Sequence, residues 1–327
     1  MIPQQLDQIV QDGTPGVEAH ANGHNYAKGN APLNGSVRIG SITKSFVAVA
    51  TLQLVRENKI ELDGPVSKHV PHIKDNRITV RQVLQHTSGL PNFPLQIGAN
   101  KIDDIRNVHF EPHELLDVAL AQPPTNAPGE KYEYSNTNYV VAGLMIQKVT
   151  GRPVQEVVRK RVIDRAKLKD TYWPEKGDKT IKGRHARAYA LADMFDPKSP
   201  KVDATELDPS WAWAAGAMIS TPQDVAKFYK SLLKGDLLER QQLDEMRKTV
   251  PIDDKNAAGL GIESTELSCG GVYWGHGGTI HGWASLGGAT DRNEAAITLT
   301  ALPGTYGDPN RTYQQIFKMI DTALCKR

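Results

Sequence analysis

The sequence predicts a mixed α/β (α+β) fold: one antiparallel sheet flanked by helices on both faces, built from the two ends of the chain, with an all-helical lobe inserted between them. Strand signals punctuated by turns occur near the N-terminus and again over the last third, and the stretch between them is helical and loop-rich. The length of 327 residues suits two lobes with a cleft between them, because single cores stop growing near this size. The division this implies is residues 1–60 with 216–327 for the sheet and 61–215 for the insertion, with a functional cleft at their junction.

The opening "MIPQQLDQIVQDG" is polar and amphipathic. It lacks the charged start and apolar run of a signal peptide. "GVEAHANGHNYAKG" reads as two short strands joined at Asn22-Gly23, a dipeptide that suits a tight hairpin turn. Residues 41–57 follow with Ile42, Phe46, Val47, Val49, Ala50, Leu52, Leu54 and Val55, apolar nearly all round as in a helix buried between layers. Ser41 would sit at its first turn. In the middle, "HTSGLPNFPLQIGAN" and "TNAPGEKYEYSN" are loops and "NYVVAGLMIQKVT" is an apolar helix. "TPQDVAKFYKSLLKG" predicts a helix capped by Thr221, with Pro222 at its first position and Gly235 past its end. Then come three strands, "GGVYWGHGGTI", "GWASLGGAT" and "EAAITLTAL", the last two joined at Asp291-Arg292-Asn293. A closing helix is predicted to bury Tyr313, Ile316, Phe317, Ile320 and Leu324 on one face.

Composition narrows the function. Thirty-nine basic residues against 37 acidic give a net charge of +2, and no basic block forms a nucleic-acid stripe or a membrane-facing patch. No apolar segment is long enough to span a bilayer. The ten histidines are scattered, and His20/His24 and His69/His72 lack a third ligand, so no metal site is expected. Cys269 and Cys325 fit either one disulfide in an oxidising compartment or two buried thiols.

Three stretches carry chemistry. In "RIGSITKSF", Ser41 and Lys44 lie three positions apart, which on a helix puts hydroxyl and amine on one face at proton-transfer range. "SLLK", from Ser231 to Lys234, has the same spacing, so the pair alone does not decide. In "YSN", Tyr134 suits a proton shuttle if a nearby ammonium lowers its pKa, and Asn136 can donate its amide to a substrate carbonyl. In "WGHGGTIHGW", His276 is followed by Gly277 and Gly278, which let a ligand approach the strand edge and leave the Thr279 N–H pointing into a cleft.

"SITK", "YSN" and "HGG", in that order on helix, loop and strand, resemble the three motifs of the penicillin-recognising serine hydrolases: Ser-x-x-Lys, Tyr-x-Asn and His/Lys-x-Gly. The resemblance runs over nearly the whole chain, through "RITVRQVLQHTSGLP", "TNAPG" and "LSCGGVYWGH". It is strongest to secreted actinomycete D-alanyl-D-alanine carboxypeptidases and class C β-lactamase-like enzymes. It makes Ser41, not Ser231, the acylated nucleophile, with Lys44 and Tyr134 moving protons and His276 at the third motif. Asn136 and the 277–279 strand would bind substrate, the N–H groups of Ser41 and Thr279 would form the oxyanion hole, and Trp211 and Phe110 would stand near the cleft. The resemblance further implies no cofactor, β-lactams as acylating inhibitors, a monomer, a Cys269–Cys325 disulfide and an extracellular location.

Two departures bear on specificity. Where the carboxypeptidases carry a threonine that helps hold a terminal carboxylate, this chain has Gly277. The segment before "LSCGG", basic in those relatives, reads "GIESTE", with Glu263 and Glu266. Both changes weaken binding of a carboxylate leaving group. The expectation is a D-Ala-D-Ala carboxypeptidase-type peptidase acting through a Ser41 acyl-enzyme. The alternatives are a D-aminopeptidase, D-amino-acid amidase, esterase or peptidyl acyl-transferase on the same scaffold, or a penicillin sensor that is acylated and does not turn over.

Overall fold

The computed structural model, which describes residues 1–326, holds one eight-stranded antiparallel sheet. Its strands are β1 (Gly16–Ala21), β2 (His24–Gly29), β3 (Val250–Pro251), β4 (Asn256–Ala258), β5 (Glu263–Glu266), β6 (Val272–Ile280), β7 (Trp283–Ala289) and β8 (Glu294–Leu299), in the order β2-β1-β8-β7-β6-β5-β4-β3. The sheet therefore closes by pairing the two ends of the chain, Val17 of β1 standing opposite Leu299 of β8. Asn22 and Gly23 both take positive φ, +49° and +86°, as a two-residue turn matching the strand twist requires.

Five helices frame the sheet and the cleft: α1 (Ile2–Gln11), α2 (Thr43–Arg56), α3 (Thr137–Thr150), α4 (Pro222–Leu233) and α5 (Pro309–Leu324). Successive residues of β8 point to opposite faces. Ala295, Ile297 and Leu299 pack with Leu6 and Ile9 of α1 and Ile316 and Ile320 of α5, while Ala296 joins the core that contains α4 and α2. As its all-round apolar pattern predicts, α2 is buried from Thr43 to Leu54, and its Phe46 stacks on Phe228 of α4 with centroids 3.9 Å apart. Thr221 caps α4 by accepting the Asp224 N–H.

Two expectations need correction. The 61–215 stretch is not all-helical: Tyr189–Leu191 pairs with Lys201–Asp203 as a short hairpin, and the Tyr189 N–H donates to the Thr300 carbonyl just past β8. Three residues per strand are too few to show a period. In α5, Ile316, Ile320 and Leu324 are buried, but Tyr313 and Phe317 are 43% and 44% exposed. They lie on the flank of the apolar stripe that faces the cleft.

Candidate active site

The site is assembled where the turn before α2 meets β6. Gly40 adopts φ +50°, and a Cβ there would stand 2.8 Å from the Thr279 nitrogen; one on Gly278 would stand 1.9 Å from the Ile39 carbonyl oxygen. Only glycines allow this backbone-to-backbone approach. It brings Ser41, in the single 3₁₀ turn Gly40–Ile42, beside the strand segment 277–279. The pairing of β6 with β5 ends at Gly275 opposite Glu263, so from His276 onward that edge of β6 is open to the cleft.

At the start of α2, about one turn past Ser41, the fully buried Lys44 directs its Nζ at three oxygens: Ser41 Oγ at 2.9 Å, Asn136 Oδ1 at 2.8 Å and the Ala215 carbonyl at 2.8 Å. Burial without a paired carboxylate lowers the Lys44 pKa well below its ordinary value, opposed in part by the charge of Glu263. A neutral amine has two N–H bonds and one lone pair. The two carbonyl oxygens can only accept, so both N–H bonds are committed to them and the lone pair is left facing Ser41 Oγ. The Tyr134 hydroxyl donates to the same Oγ at 2.8 Å.

Tyr134 departs from the sequence-based expectation. Its pKa is raised, mainly by desolvation, because a lysine held neutral supplies no charge to lower it. The phenol is a proton donor in this arrangement. Its ring lies against the His86 ring, centroids 4.4 Å apart, and His86 Nδ1 accepts the Ser135 N–H. Asn136, just before α3, donates both its backbone N–H and its Nδ2 to Asn92 Oδ1, leaving one amide hydrogen for a ligand. His276 is buried and its pKa lowered, chiefly by desolvation. Its Nδ1 lies 2.5 Å from the Gly277 carbonyl oxygen, which fixes the proton on Nδ1 and leaves Nε2 bare.

The cleft is a cavity of about 390 Å³ bordered by Ser41, Tyr134, Asn136, His276, Gly277, Gly278, Thr279 and Trp211, with Phe93, Ile280 and Phe317 as apolar walls. Ser41, Lys44, Tyr134, Asn136 and His276 thus converge as the motifs suggested. Phe110 does not line this cavity: it packs against the core, its backbone N–H donating to Ser210 Oγ. Sequence reasoning missed His86, Asn92 and Phe93 as supports of the site. They lie in "QHTSGLPNF", where His86 takes a left-handed φ of +59° that no local pattern announces. The Ser231–Lys234 pair lies at the end of α4 with Lys234 exposed.

An antiparallel sheet with helices on both faces, and a Ser–Lys–Tyr cluster at the end of a buried helix, define a class of serine hydrolase. The beta-lactamase family model matches residues 9–318, and the chain belongs to that family, the penicillin-recognising serine hydrolases. "Protein flp" of Staphylococcus aureus (strain MW2) is 28% identical over 198 residues, covering 59% of this chain and 37% of that protein. "Putative penicillin-binding protein PbpX" of Bacillus subtilis (strain 168) is 27% identical, covering 66% and 51%. The chain thus spans about half the length of these curated relatives, or less. Among solved structures, a D-stereospecific amidohydrolase from Streptomyces sp. is 37% identical with a TM-score of 0.89, covering 97% of both chains. D-amino acid amidase from Ochrobactrum anthropi SV3 is 27% identical with a TM-score of 0.84, covering 98% of both. Cys269 and Cys325 form a disulfide, and no helix among the described residues is long and apolar enough to cross a membrane.

Proposed function

We propose that the chain hydrolyses amides of D-amino acids through an acyl-enzyme on Ser41. Lys44 takes the Ser41 proton as Oγ attacks the amide carbon, the N–H groups of Ser41 and Thr279 bind the oxyanion, and the proton returns to the departing nitrogen through Tyr134. Water then attacks the ester, its proton taken by the same relay. The solved amidohydrolase and amidase support the substrate class and its configuration. One observation favours the amidase reading over the carboxypeptidase reading that the motifs alone favour: among the described residues no arginine or lysine lines the cleft, and its one acid is Glu263. A terminal carboxylate would meet a like charge and no cation to hold it.

The test compares kcat/KM for D-phenylalanine amide, L-phenylalanine amide and N-acetyl-D-Ala-D-Ala. The D-amide is expected to lead by at least about 100-fold, and Ser41→Ala to lose at least about 1,000-fold. Preference for the blocked dipeptide would restore the carboxypeptidase reading. Activity surviving in Ser41→Ala would remove the site assignment altogether, whereas turnover lost in that variant excludes a non-turning-over sensor.

A further inference from the structure

Glu263 sits half-buried in the cleft wall, and among the described residues its carboxylate has no ion-pair partner. Its charge still acts on the site, raising the pKa values of Lys44 and His276 against desolvation. A carboxylate left without a counter-ion in a cleft is a site for a cation brought by something else.

Which part of a substrate would bring it follows from the proton path. Tyr134 is the proposed donor to the departing nitrogen; its ring stands 6.5 Å from that of His276 and both residues border the cleft, so we place the leaving group toward His276. Glu263, paired with Gly275 one residue before His276, is on that same side. Beyond it a second cavity of about 200 Å³ adjoins the cleft. Glu263, His276, Gly277, Leu286 and Phe317 border both cavities, and Tyr132 and Tyr273 wall the outer one; among the described residues it too has no lysine or arginine in its lining. The exposed Phe317 has a use here as an apolar wall.

We propose that this outer cavity is a leaving-group subsite that selects amines with an apolar stem and a positively charged end, the charge held by Glu263. The inference rests on the amidase reading and narrows it: the preferred substrates are D-aminoacyl amides of basic amino acids or diamines, rather than simple D-amino-acid amides or dipeptides ending in a free carboxylate.

The experiment measures kcat/KM for D-Phe-Lys amide, D-Phe-norleucine amide and D-Phe-Glu amide, identical up to the charge on the leaving side chain. The expected order is lysine, norleucine, glutamate, in steps of about fivefold to tenfold. Within Glu263→Gln the lysine-to-glutamate ratio should collapse toward one, and within Glu263→Arg it should invert. Reading ratios inside each variant cancels any general loss. Equal rates for the lysine and glutamate compounds in the unaltered protein, or an unchanged ratio in Glu263→Gln, would overturn the subsite while leaving the amidase reading intact. If no D-Phe compound is cleaved but the N-acetyl-D-Ala-Lys, -norleucine and -Glu amides are, in the same order, the amidase reading fails and the subsite stands.

Discussion

Lys44 makes three short polar contacts and has no paired carboxylate, so burial removes its hydration without supplying a counter-charge. The proposed mechanism needs the neutral amine. With a depressed pKa, that form persists at neutral pH and is lost only as the pH falls through the folded-state value, so kcat/KM should rise with pH along a limb set well below the usual lysine range. Glu263 pulls in the opposite direction. Removing its charge in Glu263→Gln should therefore move the ascending limb to lower pH; a limb that stays put, or moves up, would mean that Lys44 does not govern it. Much of this site was legible in the sequence, because Ser-x-x-Lys, Tyr-x-Asn and His-x-Gly are local patterns whose order carries information. The protonation states were not. Tyr134 looks like a candidate for a lowered pKa until the lysine beside it proves to be desolvated, and Glu263, visible in the sequence as an acid where relatives are basic, gains its place in the cleft wall only once the pairing of β5 with β6 is seen to end at Gly275.

At the scale of elements, α5 serves as a wall of the cleft as well as a cover for the sheet. Its C-terminal end is tied to the β5–β6 turn by the Cys269–Cys325 disulfide and by Asp321, which accepts the N–H and Oγ of Ser268 at 2.8 and 2.6 Å. Replacing both cysteines by serine should lower stability by roughly 2–4 kcal/mol, since the bridge closes a loop of about 56 residues in the unfolded chain. Because α5 carries Tyr313 and Phe317 to the cavity, KM should rise more than kcat falls. Denaturant midpoints and steady-state kinetics check the two parts separately. The N-terminal hairpin and the strands after residue 270 were legible from Asn22-Gly23 and from their turn-punctuated runs of strand-forming residues. The polar "ESTE" of β5 and the two- and three-residue strands β3 and β4 were not, because what makes them strands is an edge to pair with, not a pattern of their own.

For the molecule as a whole, the apolar core does not stop at the junction between the sheet and the 61–215 stretch. One cluster runs from Val66, Val83 and Leu115 through Phe46 and Tyr139 to Phe228 and Trp283. Elements sharing one core melt together, so calorimetry should record a single unfolding transition; two resolved transitions would show that the insertion unfolds independently. The pairing of β1 with β8 has a consequence for how the molecule comes into being. About 280 residues separate the two strands, so at ribosomal rates of about 5–20 residues per second the first hairpin waits roughly 15–60 s for the strand it must join. Throughout synthesis the sheet lacks the partner that closes it, and the nascent chain stays pliable until its last strand has emerged.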